Sequence, residues 1–290
     1  MSAHTRTVVA ITALLAAIML ASFTPTPLFP AYRDAWDLTD SDISLVFSGH
    51  PIGVLVVLLT LGGLSDRIGR VPTLRLGAAL LLIAMALMAS AGSLSMLFSG
   101  RMLQGIATGF ITGAAAAALM DLHPRGPGAG SALNTLALGL GVSIGPVVSG
   151  QIASHLPGPL VAPYVVVIAF ALIPLALLLA RDPLPKPLRS GAERRPWTIR
   201  VPRAVRRPLG LAALSISTTN LTFALIGAFG PEIVESTGSS TPARVGGYVT
   251  AVLAIVALTQ LAARRWALVP SMLTGAVTTA VGWGAATLAT

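Results

Sequence analysis

The chain contains no cysteine, which excludes disulfide bridges and thiolate metal sites. Its four histidines, His4, His50, His123 and His155, are scattered along the sequence, so no metal cluster, bound cofactor or catalytic constellation is expected. Charge is also scarce. Only 10% of the 290 residues are charged, 54% are hydrophobic and the mean hydropathy is +0.82, leaving too little polar surface to coat a soluble globule. The chain must use lipid as solvent, and its long apolar runs predict an all-α integral membrane protein. No Asp or Glu lies in the core of any apolar run. The basic excess of +9 is dispersed over loops rather than gathered on one face, which speaks against nucleic acid as a partner.

The charge-free runs are abundant. A helix needs about 20 apolar residues to cross the hydrocarbon core. Arg6 to Arg33 encloses 26 uncharged residues, Asp42 to Asp66 encloses 23, Arg75 to Arg101 encloses 25 and Arg101 to Asp121 encloses 19. The 55 between Arg125 and Arg181 are divided by Pro157, Gly158 and Pro159 into two spans. Three more runs follow, between Arg207 and Glu232, between Arg244 and Arg264, and after Arg265. Nine spans are expected, near 8–29, 42–64, 74–95, 101–121, 132–152, 161–180, 209–229, 245–263 and from Trp266 onward. The first run is longer than a signal-peptide core and leads straight into further spans, which favours a retained helix.

Charge bias orients the chain. With the N-terminus inside, 16 of the 19 Lys and Arg fall on the inner side, the exceptions being Arg33, Arg101 and Arg244. This pattern predicts a cytoplasmic N-terminus. Residues 181–207 hold nine of these basic residues and five prolines without a long apolar run, which reads as a cytoplasmic linker. Trp197, Ile199 and Val201 within it suggest an amphipathic segment on the membrane surface.

Several residues carry possible chemistry. The first span ends in Pro25, Pro27 and Pro30, which remove backbone donors. Ser22 and Thr26 there share a face and either look into a polar cavity or re-satisfy the freed carbonyls. Thr39 to Asp42 supply capping groups for span two. His50 lies about a third of the way into that span, as a proton-accepting group or as a neutral hydrogen-bonding one. In span four Arg101, Gln104, Thr108 and Thr112 form a polar stripe, and Gly105, Gly109, Gly113 and Ala117 form a stripe for close packing. Arg101, at the start of that span, is either an interface snorkeller or a fixed positive charge. In span five Gly141, Gly145 and Ser149 bare one face beside Pro146, with Asn134 nearer the inner end. Span seven repeats a polar stripe at Ser215, Thr218, Thr219 and Thr222, with Asn220 beside it. Polar stripes thus fall on spans one, four and seven.

Self-comparison adds a repeat. Val71, Pro72 and Gly77 match Val269, Pro270 and Gly275 at a constant offset, and Pro30 matches Pro231. A six-span unit at 1–180, the linker at 181–207 and a second copy at 208–290 that stops at its third span are therefore expected. Parallel repeats of this kind characterise two-domain secondary transporters with a midplane site.

Three stretches then resemble the major facilitator superfamily, and within it the drug and proton antiporters. Residues 61–74, LGGLSDRIGRVPTL, resemble its turn between spans two and three, through Gly62, Leu64, Asp66, Arg67, Gly69, Arg70 and Leu74, with Val71 where a second basic residue is usual. RMLQG resembles the span-four signature through Arg101, Gln104 and Gly105. GLGVSIGPVVSG resembles the span-five antiporter signature through Gly141, Gly145, Pro146 and Gly150, with Ser149 replacing a glycine.

The resemblance implies a six-helix domain plus a partial three-helix one, with rocker-switch alternating access and spans one, four and seven around the cavity. It implies that Asp66 latches the inner gate with a neighbouring arginine and a helix of the second domain. It also implies export of small hydrophobic or amphiphilic compounds across the inner membrane, coupled to protons. Many such exporters carry a carboxylate near the paired prolines of span one, where this chain has Phe23 and Thr24. Coupling therefore falls to His50, Asp66, Asp34 or Asp42. The alternatives are a metabolite uniporter or importer, and an inactive fragment or non-transporting membrane partner. The expected partners are a small-molecule substrate, protons and lipid.

Overall fold

The computed structural model describes residues 3–180 and 241–263, together with Arg206, Gly210 and Val234, and these residues are mostly helical. Apart from Arg206 and Gly210, the linker and spans seven and nine lie outside the described residues, as do the second copy's repeat positions. Residues 1–188 and 227–254 form one compact unit, and residues 189–226 and 255–290 form another.

Helix α1 (Ala3–Phe23) gives way to a 3-10 turn (Thr26–Leu28) and to α2 (Phe29–Trp36). Then come α3 (Asp40–Thr60), the short α4 (Leu64–Ile68), α5 (Arg70–Ala89), α6 (Leu94–Leu122), α7 (Pro127–His155), α8 (Ala162–Leu179) and α9 (Pro242–Ala263). Among the described residues six helices are long and apolar enough to cross a membrane. All six expected spans of the first repeat are present. The expected eighth appears as α9, which begins at Pro242 rather than Val245.

Local chemistry explains the boundaries. The prolines end α1 early, because Pro25 and Pro27 have no N–H to give to Ala21 and Phe23. Thr39 caps α3 in a reciprocal box, accepting from Asp42 N while Asp42 Oδ2 accepts from Thr39 N at 2.9 Å. One boundary differs in a way that matters. Helix α6 starts at Leu94, with the Ser93 hydroxyl accepting from Met96 N, not at Arg101. The charge-free rule stops a span at an arginine, whereas this arginine sits two turns inside its helix and is only 2% exposed. It is therefore not an interface snorkeller.

Helices α1 and α6 are the central pair. Their apolar stretches are each 61% buried, against 28% for α3. Helix α6 packs on α1, α3, α5 and α7, and α1 also packs on α7 and α8. Lipid tails are as apolar as leucine, so what joins the helices is close packing of small residues rather than the hydrophobic effect. At the α3–α6 crossing a Cβ on Gly105 would strike the His50 carbonyl oxygen, and one on Gly53 would strike the Met102 carbonyl oxygen. Gly109 faces Val57, but Gly113 has nothing within 4 Å of a Cβ. The glycine stripe read from the sequence is thus used over its first half only.

Candidate functional site

Two polar assemblies stand out among the described residues, one where α1 breaks and one at the turn between α3 and α5. A helix end leaves its last carbonyls without donors, and here two side chains of α6 supply them. Arg101 Nη1 donates to Ser22 O at 2.9 Å and to Gln104 Oε1 at 2.6 Å, and Gln104 Nε2 donates to Ala21 O at 2.6 Å. The amide orientation of Gln104 is fixed, since arginine can only donate and a carbonyl can only accept. The positive charge meets the negative end of the α1 dipole. The Arg101 guanidinium also lies over the Phe47 ring, 5.7 Å from its centroid, within cation–π range. Helix α7 completes the cap, with Ser149 Oγ donating to Thr24 O at 2.6 Å.

His50 belongs to the same assembly. Its Nε2 lies 3.2 Å from Ser22 Oγ and 3.1 Å from Thr108 Oγ1, so it ties α3 to both α1 and α6. Thr112 continues the stripe by back-bonding to Thr108 O. The hydroxyls of Ser22 and Thr24 return to Ile18 O and Leu20 O. Thr26 is buried in the 3-10 turn. Arg101 and Gln104, with His50 through Ser22, are thus brought together on α1, while Gly105 faces α3.

Helix α7 presents two bare faces. Gly141 and Gly145 meet the backbone of α1 at Ala16 and Leu20, while Gly150 meets Pro242 and Ala243 of α9. Gly246 of α9 returns the approach at Pro146 and Gly150. Pro146 has no N–H, and the next amide, Val147 N, donates to Thr250 Oγ1 of α9 at 3.0 Å. Ala243 N donates to Ser154 Oγ at 3.0 Å. Asn134 stands apart from this contact, with a buried Oδ1 that has no hydrogen-bond partner.

The second assembly is the charged turn. Gly69 has φ 103°, a conformation that side chains resist, and it separates α4 from α5. Asp66 pairs with Arg70 one turn on, Arg70 Nη1 also donates to Ser65 Oγ at 2.8 Å, and its Nε lies 3.7 Å from Asp121 at the end of α6. Gly62 follows α3, where a Cβ would meet the Leu58 carbonyl of the preceding turn at 2.8 Å. Arg67 lies in α4 between Asp66 and Gly69. Arg75 of α5 donates from Nε and Nη2 to Leu178 O of α8, at 3.0 and 2.7 Å, capping that helix as Arg101 caps α1.

Thr219 and Asn220 lie outside the described residues. Sequence reasoning missed Arg75, Asp121 and Thr250. Asp121 left a signal, as an acid on the expected basic side, but nothing local marks the partners of Arg75 and Thr250, each 103 positions away.

The comparisons with known proteins agree with this architecture. The family model described as "Major Facilitator Superfamily" matches residues 11–290. The "Multidrug efflux protein YfmO" of Bacillus subtilis (strain 168) is 28% identical over 128 residues, which are 44% of this chain and 32% of that protein. A solved bacterial homologue of the human lysosomal transporter Spinster superposes with a TM-score of 0.71 at 16% identity, covering 90% of this chain and 61% of that one. A D-xylose-proton symporter gives 0.61 at 17% identity, covering 88% and 67%. The chain spans about a third of the length of its curated relative and under two thirds of the first of these structures. The family match over nearly the whole chain, on a bundle of long apolar helices, shows that the chain belongs to the major facilitator superfamily of multi-pass membrane transporters.

Proposed function

We propose that this transporter is an exporter of small hydrophobic or amphiphilic compounds that works by alternating access in exchange for protons. Its place is the bacterial-type inner membrane with the N-terminus in the cytoplasm, as the charge bias suggests. Residues 1–180 act as one domain, 181–207 as the cytoplasmic linker and 208–290 as part of the second domain.

The observation that carries this reading is the double bare face of α7. Gly141 and Gly145 meet the backbone of α1, and Gly150 meets that of α9. These are the residues in which the chain resembles the antiporters, and the curated relative is named a multidrug efflux protein. Helices in backbone contact have no side chains to disengage when they slide or separate. The turn at Asp66 and Arg70 acts as the inner latch, and the Arg101 and His50 assembly lies on the cavity side. Small polar groups at Asn134, Thr219 and Asn220 furnish the few hydrogen bonds that orient an apolar compound.

Cells expressing the chain are expected to accumulate less of a lipophilic cationic dye than control cells, and a protonophore is expected to abolish the difference. Equal accumulation with and without the chain would overturn export. A second reading, a metabolite uniporter or importer, is favoured by the lack of any carboxylate in the span cores. In that case a protonophore leaves transport unchanged.

A further inference from the structure

The hydrogen atoms around His50 can be counted. Ser22 Oγ lies 2.7 Å from Ile18 O, and Thr108 Oγ1 lies 2.9 Å from Gln104 O. A carbonyl only accepts, and a hydroxyl has one hydrogen to donate. Both hydroxyls therefore give their single hydrogen to their own helices. What they present to His50 Nε2, at 3.2 and 3.1 Å, is lone pairs.

A bare Nε2 would set its lone pair against two others. An Nε2–H instead donates to both, in a bifurcated bond across α1 and α6. The neutral ring is thereby held as the Nε2–H tautomer, with Nδ1 carrying the lone pair. We propose that His50 is the proton-exchanging group of the assembly, that it takes and releases its proton at Nδ1, and that Ser22 and Thr108 are positioning residues that hold Nε2–H. This rests on the proton-exchange reading given above.

The step is a simple proton transfer. An O–H bond of hydronium breaks as its proton bonds to the Nδ1 lone pair, giving water and an imidazolium with hydrogens on both nitrogens, and the reverse step breaks the Nδ1–H bond and returns the proton to water. Nε2–H keeps its two acceptors throughout. His50 is half-buried. The charged group facing it from α6 is Arg101. From α1 there is no titratable group near it, and on α3 itself the nearest is Asp42, two turns away at the exposed end. The imidazolium would thus form beside a fixed cation, near the α1 carbonyls that Arg101 and Gln104 cap. Protonation of His50 is in this way coupled to how tightly the α1 break is held.

The test is nuclear magnetic resonance of the full chain, labelled with 15N,13C-histidine and reconstituted in nanodiscs. His50 is assigned as the resonance lost in His50→Gln. The expected neutral form shows a protonated Nε2 and a bare Nδ1, and lowering the pH moves the Nδ1 signal while Nε2 stays protonated. In the Ser22→Ala/Thr108→Val double variant the neutral form is expected to become a mixture of tautomers. A wild-type neutral form with hydrogen on Nδ1 would overturn the proposal, whether or not the double variant folds.

Transport separates this proposal from the reading it rests on. In proteoliposomes His50→Gln, whose amide keeps a donor but cannot titrate, is expected to lose transport driven by a pH gradient while keeping downhill dye exchange. Gradient-driven transport that survives in His50→Gln overturns the proton site and leaves antiport standing. No gradient-driven transport in the wild type, with the Nε2–H tautomer observed and Nδ1 titrating, overturns antiport alone.

Discussion

Gly105→Ala places one methyl group at the α3–α6 crossing. A Cβ there would lie 2.9 Å from the His50 carbonyl carbon and 3.1 Å from Gly53 Cα, and closer still to the His50 carbonyl oxygen. All three are backbone atoms, so no rotamer change relieves the clash. Carbon contacts are optimal at about 3.5–4.0 Å, so the helices must part by roughly an ångström. Overpacking of this kind costs about 1–3 kcal/mol. Gly113→Ala is the control from the same stripe, since nothing stands within 4 Å of its Cβ. Both variants share the gain of roughly 0.5–1 kcal/mol from replacing a helical glycine, and that gain cancels in the comparison. The difference between them is the packing cost alone. At about 2–4 °C per kcal/mol, Gly105→Ala should melt roughly 2–12 °C below Gly113→Ala. Thermal unfolding in detergent, followed by tryptophan fluorescence or by loss of the monodisperse elution peak, reads this directly. Melting temperatures within about 1 °C of each other would refute the crossing geometry.

Other outcomes follow from the two polar assemblies and from the α7–α9 contact. Gln104→Leu strips a donor from Ala21 O and an acceptor from Arg101, and should cost about 1–3 kcal/mol in the same unfolding assay. Thr250→Val removes the acceptor of Val147 N and should cost about 1–3 kcal/mol if that amide stays dry. Unchanged stability in that variant would mean that water replaces the hydroxyl. Asp66→Asn breaks a pair whose carboxylate is 67% exposed, so it should change stability by less than about 1 kcal/mol. Under the latch reading it still reduces dye efflux from cells, whereas full efflux would leave Asp66 without a gating role.

The span pattern was legible because the membrane imposes a length and a polarity on every crossing helix. That logic failed at Arg101, where it cut α6 seven residues short. The charge is tolerated because Pro25 and the break after Phe23 open carbonyls on α1, and a capping arginine is stabilised there. Neither fact is visible within the span that contains Arg101. The residues of the first assembly were readable one by one as His50, Arg101, Gln104 and Thr108. Their convergence on the end of α1 depends on helices packing across 79 to 83 positions of sequence. Gly105 and Gly113 make the same limit plain. They occupy equivalent places in one periodic stripe, yet only the first meets another backbone. The partners of Arg75 and Thr250 were beyond reach for the same reason, since a basic residue near a span end and a threonine within a span are ordinary until the facing helix is known.

The central claim is that outward movement of a lipophilic compound is exchanged for protons through this bundle. The direct measurement is made on purified protein in liposomes loaded with a pH-sensitive dye, with a pH gradient imposed and a lipophilic cation added as substrate. Substrate-dependent proton flux that dissipates the gradient is expected through the wild-type chain, and none through His50→Gln. Substrate movement with no accompanying proton flux would contradict it.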